Sequence, residues 1–585
     1  MMRRVRRAWG LRRFCRRRPA VFFKEGKLKD SVYRVCRLCA ALCVWGAVGA
    51  YAAGLPDVRD DAAALRAQRA AAEGWAGMPP EGDSAANGGS RVIDGDFLLS
   101  RPQLLEHVLR DALNGNQADL IASLADLYAK LPDYDAVLYG RARALLAKLA
   151  GRPAEAVARH RALHRDNAAD ERVLLDLAAA EFDDFRLKSA GLHFAEAAKL
   201  DLPAPVLENV GRFRKKTEGL TGWHFSGGIS PSVNKNANNA APQYCLQGGG
   251  SRICSVTGPV RAAGLDYEAG AEKLTALADN HYLLFRANVG GTSYYFSRKS
   301  AYDDAFGRAY LGWQYKNARQ TVGVLPFYQA QLSGSDGFDA KTKPPADRRL
   351  APYMLAHGAG VQLAHSYRLS RRSQLSVSLE RYRQRYREQG RAERNDGWQD
   401  GLYVSLARRL GGSATVFGGW QFARFVPKRE TVGGAVNNAA YRRNAVHIGW
   451  AQEWGGTGGL NSRIAASYAH RNYKGIAAFS TEAQRNREWN VSLALSHDKL
   501  SYKGIVPTLN YRFGKTESNV PYANAATARC LCRRIGGFEW WDNAVRTLRQ
   551  QVRTAFLRVQ ARTAANTPRK ALERRISSAP CSVFV

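Results

Sequence analysis

Apolar and polar residues alternate along much of the chain after Trp223, with the period of two that is typical of β-strands. The alternation is clearest between residues 281 and 316. The apolar positions that share one face at the start of this stretch are Leu283, Phe285, Ala287 and Val289. The runs are longer than the about five or six residues of a soluble strand, and they match the roughly 9–11 tilted residues that cross a bilayer. The pattern therefore predicts a transmembrane β-barrel.

Thirteen strands are predicted from this pattern, at residues 223–233, 264–277, 281–296, 303–316, 319–334, 351–369, 373–386, 399–410, 413–427, 441–454, 460–473, 488–499 and 503–516. The links between them are alternately long and short, as in outer-membrane barrels, where long loops face outward and short turns face the periplasm. Because such barrels contain an even number of strands, we expect about fourteen strands although only thirteen can be identified. A soluble β-sandwich is the alternative, but it requires shorter strands with polar outer faces.

Between residues 97 and 220 the apolar period becomes helical. Ala156 is matched 34 residues later by Ala190, and Phe194 and Ala197 extend this series of small and aromatic packing positions. A helix–turn–helix period of 34 residues predicts tetratricopeptide repeats, whose stacked hairpins offer a concave surface to a protein partner. We therefore predict a tetratricopeptide-like domain that binds a partner through residues 100–216. An irregular helical bundle is the alternative.

The beginning of the chain has the pattern of an exported protein. Residues 1–52 combine an overlong basic start, a short apolar run and the small-residue site Ala50-Tyr51-Ala52, which together predict a secretory signal peptide. Residues 53–96 are rich in Ala, Arg, Gly and Pro and predict a linker. The helical domain is then expected in the periplasm and the barrel, residues 221–522, in the outer membrane.

The formal net charge of +36 raises the question of nucleic-acid binding. Much of the excess lies at the two ends of the chain. Residues 1–52 hold 14 Lys/Arg against 2 Asp/Glu, a net +12, and residues 523–585 hold 12 against 3, a net +9. Residues 53–522 are left with the remaining +15, so the two ends carry more than half of the excess, and we predict no nucleic-acid partner.

Among the nine cysteines, Cys245 and Cys254 are the two that lie between the predicted linker and residue 522. Both fall in the long first loop of the barrel, and export would place them where a disulfide persists, so we predict that they are bonded to each other. The sequence contains no motif for a nucleophile, an acid–base pair, a metal site or a phosphate loop. We therefore predict no enzyme activity, no metal and no cofactor.

Residues 523–585 do not alternate, and they are basic and contain three cysteines. We interpret them as a non-native tail produced by a frameshift near Asn524, which would leave this copy without its last strand. Restoring one base before the Asn524 codon allows a frame whose second half alternates and ends on an aromatic residue, as last strands of outer-membrane barrels do. A genuine helical extension is the alternative.

The first predicted strand reads Trp-His-Phe-Ser-Gly-Gly-Ile-Ser-Pro-Ser-Val from Trp223 to Val233. This strand, in the order export signal, tetratricopeptide domain and barrel, resembles the surface lipoprotein assembly modulators, the Slam family, over roughly residues 53–522. The resemblance implies a translocon that carries lipoprotein clients to the cell surface, with a periplasmic lipoprotein carrier and the barrel assembly machinery as further partners. The alternative function is that of a polysaccharide-export or diffusion porin with a periplasmic tetratricopeptide domain.

Overall fold

A computed structural model describes residues 95–537, except for residues 239–240, 242–243, 249–250, 255–257, 295–301, 335–352, 412, 456–458, 479 and 502–504. The predicted signal peptide, nearly all of the predicted linker and residues 538–585 lie outside the described residues. Within the described part of the chain, no helix is long and apolar enough to cross a membrane.

The described N-terminal part is helical. Its helices are α1 Gly95–Leu99, α2 Pro102–Asn114, α3 Ala118–Tyr128, α4 Ala136–Leu149, α5 Pro153–Asp166, α6 Glu171–Asp183, α7 Leu187–Ala197 and α8 Ala204–Thr221. Asp135 caps α4 and Asp170 caps α6, because each carboxylate accepts hydrogen bonds from two backbone N–H groups of the first turn. Gly151, with a φ of +73°, follows the end of α4, and Pro153 begins α5. The chain therefore folds into successive helical hairpins, as the 34-residue period predicts.

A single residue, Gly222, separates the helical domain from the barrel. Helix α8 ends at Thr221 and strand β1 begins at Trp223. The predicted boundary between the two domains therefore lies at the turn where helix becomes strand, with no extended linker between them.

Fourteen strands close into an antiparallel barrel in the order β1-β18-β17-β16-β15-β14-β11-β10-β9-β8-β7-β6-β5-β4. Their bounds are β1 Trp223–Asn234, β4 Ala262–Ala278, β5 His281–Ser293, β6 Asp304–Lys316, β7 Gln320–Ser333, β8 Tyr353–Ser370, β9 Ser373–Tyr386, β10 Gly397–Leu410, β11 Ala414–Pro427, β14 Tyr441–Trp454, β15 Leu460–Ile476, β16 Ala483–His497, β17 Ile505–Ser518 and β18 Ala525–Gly537. The fold class, a tetratricopeptide-like helical domain followed by an outer-membrane type barrel of about fourteen strands, is confirmed.

Alternation along the strands separates an outward face from an inward face. On β5, Leu283 is 38% exposed, whereas Tyr282 and Leu284 on either side of it are buried. On β14, Val446 and Ile448 are more than half exposed and alternate with buried residues. The outward positions form the apolar surface that faces lipid, and the inward positions line the barrel.

The fourteenth strand differs from what the sequence predicts. Residues 525–537, which we had assigned to a tail beyond the barrel, form β18 and pair with both β17 and β1. The expectation that the chain lacks a last strand is therefore wrong. A closing strand pairs through its backbone N–H and C=O groups, which any sequence without proline offers. Residues 525–537 can therefore form a strand although their side chains do not alternate, and that lack of alternation is why β18 was not predicted. A frameshift origin for the segment stays a prediction, which sequencing of the gene around the Asn524 codon would test.

The ladder that closes the barrel joins the first and last strands. β1 pairs with β4 from Trp223↔Lys273 to Asn234↔Ala262, along its whole length. On its other side, within the described residues, which end at Gly537, β1 pairs with β18 from Ser226↔Gly537 to Ser232↔Leu531. β1 is thus one of the two strands of the closing seam.

Three small elements outside the barrel wall were not predicted. The hairpin β2 Cys245–Gly248 and β3 Ser251–Cys254 lies in the first long loop. A second hairpin, β12 Thr431–Val432 and β13 Ala435–Val436, and the short helix α9 Gln389–Asn395 lie in later long loops. These three long connections therefore have local structure of their own.

Candidate functional site: the barrel mouth beneath the helical domain

The corner between α6 and α7 sits against the short turns of the barrel. This corner, residues 184–186, contacts the β4–β5 turn at residues 279–280 and the β6–β7 turn at residues 317–319. Further along the rim, Arg371 in the β8–β9 turn donates a hydrogen bond to the carbonyl of Leu149 at the end of α4. The helical domain is therefore fixed to one side of the barrel opening.

A polar network joins three helices to the barrel. Glu181 of α6 is fully buried, and its carboxylate accepts hydrogen bonds from Arg161 of α5 at 2.7 Å and pairs with His193 of α7 at 2.7 Å. Arg161 also donates to Asp279 at 2.6 Å, and Ser189 of α7 donates to the same carboxylate at 2.6 Å. One arginine thus satisfies a buried carboxylate in the helical domain and a carboxylate on the barrel rim.

These contacts fix the protonation states at the junction. Burial disfavours the charged forms of both Arg161 and Asp279, but their hydrogen bonds outweigh it, so the pKa of Arg161 is raised and that of Asp279 is lowered. The hydrogen bond to Glu181 raises the pKa of His193 against an opposing effect of burial. The network therefore favours charged partners on both sides of the junction.

Two residues in the left-handed region meet at this corner. Phe185, at the α6–α7 corner, has a φ of +57°, and Asn280, in the β4–β5 turn, has a φ of +62°. The Asn280 amide donates to the carbonyls of Asp184 at 2.7 Å and Lys316 at 2.9 Å, and the Tyr282 hydroxyl donates to the carbonyl of Phe185. A non-glycine residue in this region costs on the order of 1–3 kcal/mol, so the cross-domain hydrogen bonds stabilise a backbone geometry that is otherwise unfavourable.

An apolar contact reinforces the polar ones. Leu187, the first residue of α7, packs in one buried cluster with inward-facing barrel residues, namely Leu274, Tyr282, Leu284, Tyr310, Leu325 and Phe327. The Lys316 ammonium lies 4.3 Å from the centre of the Phe185 ring. The α6–α7 corner therefore occupies an apolar sector of the barrel mouth.

Deeper inside, paired charges line the barrel. Arg308 is 8% exposed and donates to Glu380 at 2.8 Å and to the Tyr310 hydroxyl at 3.1 Å. Glu380 lies next to Arg381 and Arg383 in sequence, but alternation places those two arginines on the outward face of β9. The inward partner of Glu380 comes from β6 instead, which no sequence signal indicates.

A second inward group is more deeply buried. Glu488 of β16 accepts a hydrogen bond from Arg443 at 2.9 Å and forms an ion pair with Arg471 at 2.9 Å, and all three side chains are at most 5% exposed. Gln421 accepts a further hydrogen bond from Arg443 at 3.2 Å. This group cross-links β14, β15 and β16 from the inside.

The predicted packing residues of the repeats lie in the helical core. Ala156, Ala190, Phe194 and Ala197 are each at most 2% exposed. Ala144 and Ala178, also 34 residues apart, are fully buried as well and were not singled out from the sequence. Their identical spacing was the available signal. That these four residues are the packing positions of the repeats stays a prediction.

The two predicted disulfide partners lie opposite each other. Cys245 and Cys254 are paired in the β2–β3 hairpin, with a Cα–Cα distance of 3.9 Å, and their sulfur atoms are bonded. That this bond forms in the cell stays a prediction. In the described parts of the chain, no group of three or more His, Cys, Asp or Glu side chains could hold a metal ion.

Comparisons with known proteins extend over both domains. Residues 223–532 match a family described as surface lipoprotein assembly modifier, and residues 92–194 match the N-terminal TPR repeats of the same family. The chain is 79% identical over 486 residues to surface lipoprotein assembly modifier 2 of Neisseria meningitidis, covering 82% of this chain and 95% of that protein. It is 26% identical to the surface lipoprotein assembly modifier of Pasteurella multocida, covering 76% of this chain and 85% of that protein. Hemophilin secretion modulator of Acinetobacter baumannii is 22% identical, over 55% of this chain and 61% of that protein.

Proposed function

This chain belongs to the surface lipoprotein assembly modifier family, and on that premise we propose that it delivers lipoproteins across the outer membrane to the cell surface. The observation that carries the proposal is the contact between a helical repeat domain and one mouth of a closed fourteen-stranded barrel. A receiving surface is thereby held at the entrance of a transmembrane structure. The family's names supply the class of client, a lipoprotein, but not its identity.

We propose a division of labour between the two domains. The helical domain, residues 100–216, binds the client, and the barrel provides the path. Stacked helical hairpins present extended surfaces for protein partners, and the junction at Arg161 and Asp279 holds that surface over the mouth. The apolar contact of Leu187 with the barrel interior closes one sector of the mouth at rest. Passage of a client through that sector would displace the α6–α7 corner.

We propose that the helical domain lies in the periplasm. It contacts the short turns of the barrel, and short turns face the periplasm in outer-membrane barrels. The disulfide-bearing hairpin and the other long connections then lie at the cell surface. A client released into the periplasm by a lipoprotein carrier would meet the helical domain first, and the barrel assembly machinery would insert the barrel itself.

The proposed activity moves a protein without making or breaking a covalent bond, so it requires no catalytic residue and no cofactor. A polysaccharide-export or diffusion porin is the competing function. It predicts that sugar or small solutes pass the barrel and that lipoproteins do not depend on it. No contact described above favours that alternative.

Surface display of a lipoprotein in cells tests the proposal. Cells that produce a family client with or without the full chain are treated with an external protease, and the cleaved fraction of the client is measured. We expect the client to be cleaved only when the chain is present. A chain lacking residues 100–216 should fail to display the client although its barrel keeps heat-modifiable mobility on a gel. Equal cleavage with and without the full chain would contradict delivery, and unchanged display by the shortened chain would contradict the division of labour.

A further inference from the structure

The outward face of β9 carries arginines where lipid-facing strands normally carry apolar residues. Arg381, Arg383 and Arg385 are exposed and share the outward face with Leu379, which is 47% exposed. Arg381 is stacked over Trp398 at 4.8 Å and pairs with Asp400 at 3.5 Å. The other two arginines extend from the same face toward the end of the strand.

The same row continues around the barrel. Arg424 of β11 shares the outward face with Trp420, which is 39% exposed, and Arg442 of β14 shares it with Val446, which is 54% exposed. We call Arg381, Arg383, Arg385, Arg424 and Arg442 the arginine band. Each lies within five residues of the strand end that joins a long connection. The band therefore lies in the half of these strands nearest the long connections, at the end of the barrel opposite the helical domain.

Within the band, like charges face each other. In the β11–β14 register Arg424 lies directly opposite Arg442, and directly opposed like charges destabilise a sheet. On its other side Arg424 faces Asp400, but that carboxylate pairs with Arg381. Among the residues that the structure describes, neither Arg424 nor Arg442 forms an ion pair. An anion held between the two guanidinium groups would remove this repulsion.

The band lies on β9, β11 and β14, and the outward-facing Lys474, Arg485 and Arg487 extend the same basic side of the barrel onto β15 and β16. Strands β1, β4, β5 and β7 expose apolar or aromatic side chains on the outward face toward the same end, namely Val233, Tyr267, Val289 and Tyr328. If charge were needed only to mark the membrane surface, it would be expected all around the rim. The one-sided distribution indicates a local ligand.

We propose that the arginine band binds the phosphate groups of a phosphorylated glycolipid of the lipid A type in the outer leaflet. Guanidinium groups bind phosphate in a bidentate manner, and basic clusters at the membrane surface bind anionic head groups. The exposed indole of Trp398 lies one residue from the end of β10 that joins a long connection, as aromatic side chains do at the membrane interface. The proposal rests on the orientation proposed above, in which the long connections face outward.

Retention of lipid by the purified full chain tests the proposal. The chain is washed in detergent and mixed with lipid A that carries two phosphates, with dephosphorylated lipid A, or with inorganic phosphate, and the bound molecules are counted by native mass spectrometry. The variant Arg424→Gln/Arg442→Gln should retain phosphorylated lipid A on the order of tenfold less well than the wild type. Arg424→Lys/Arg442→Lys keeps the charge and should retain most of the binding.

Arg408→Gln is the matched control. Arg408 is exposed on the outward face of β10, two residues before the strand ends at a short turn. This variant should bind lipid A like the wild type, and all variants should show heat-modifiable mobility. Equal retention of phosphorylated and dephosphorylated lipid A, equal loss in the control, or equally tight binding of inorganic phosphate alone would overturn the proposal. The assay contains no client, so its failure would leave lipoprotein delivery standing.

Discussion

Arg161 of α5 and Asp279 of the β4–β5 turn are 118 residues apart in sequence and 2.6 Å apart between Nη2 and Oδ2. The same guanidinium group serves the buried carboxylate of Glu181. This single side chain therefore connects the stability of the helical domain with its attachment to the barrel.

Replacing Arg161 by Ala should destabilise the helical domain by about 2 kcal/mol, because Glu181 would remain buried with only His193 as an ionic partner. The cost is below that of a fully buried pair because Arg161 is 38% exposed. Thermal unfolding followed by the helical circular dichroism signal measures it. Arg212→Ala, which breaks the exposed pair with Glu208, is the control and should cost less than about 0.5 kcal/mol. Equal costs would show that Glu181 does not depend on Arg161.

The stability of the helical domain should depend on the protonation of His193. Its pKa is raised in the folded state by the hydrogen bond to Glu181, so its contribution is fully present below the unfolded pKa of about 6.5 and is lost as pH rises through the folded pKa. His193→Gln should therefore destabilise the domain more at about pH 6 than at about pH 9. Burial lowers the pKa of His160 in the folded state, so the contribution of His160 to stability changes with pH in the opposite direction to that of His193. Comparing variant and wild type at each pH removes that contribution. A pH-independent difference would contradict the role of the charged form.

Enlarging a buried packing residue of the repeats should destabilise the helical domain, whereas enlarging an exposed residue of the same helix should not. Ala156 is 1% exposed, so Ala156→Leu should overpack the hairpin and cost roughly 1–3 kcal/mol. Ala162 lies on the same helix and is exposed, so Ala162→Leu should be nearly neutral. Chemical unfolding of the two variants provides the comparison. A similar loss in both would show that Ala156 is not a helix-crossing position.

Cys245 and Cys254 should be unreactive toward a thiol reagent applied to intact, unreduced cells. The hairpin places them in direct register, and the compartment favours the bond. The closed ring is short, so the entropic stabilisation is below about 3 kcal/mol. Labelling after reduction is the positive control, since it shows that both side chains are accessible. Labelling of both cysteines without reduction would contradict the prediction.

Truncation around β18 should show what the last strand contributes. A chain that ends at Gly537 retains all fourteen strands and should keep heat-modifiable mobility. A chain that ends at Asn524 exposes the edges of β1 and β17 to lipid, where each unsatisfied backbone group costs several kcal/mol. It should therefore lose that mobility. If the shorter chain still formed a heat-modifiable barrel, β18 would not be required for closure.

Much of the barrel could be predicted because lipid on one side and a polar interior on the other impose a period of two. The predicted bounds of β9 and β14 agree with the structure to the residue. β16 begins at Ala483, five residues before the prediction, because Arg485 and Arg487 replace apolar residues on its outward face. These two arginines lie beyond the apolar, lipid-facing part of the strand, and they interrupt the alternation from which the start of β16 was predicted.

The junction could not be predicted from the sequence. Tyr282 and Leu284 follow the ordinary pattern of inward-facing residues, and nothing local distinguishes them from others that line the barrel. Their role comes from contact with Leu187 and Phe185, almost 100 residues earlier in the chain. Likewise, Glu181 has the sequence context of a surface glutamate, and its complete burial arises only when α5 and α7 pack on either side.

The single residue Gly222 between α8 and β1 has a mechanical consequence. One residue spans at most about 3.6 Å, so the helical domain has no tether with which to swing away from the barrel. A force or a rotation applied to that domain is therefore transmitted directly to β1. β1 is also the strand that pairs with β18 and closes the barrel. Force exerted on the helical domain is therefore applied next to the seam between the first and last strands.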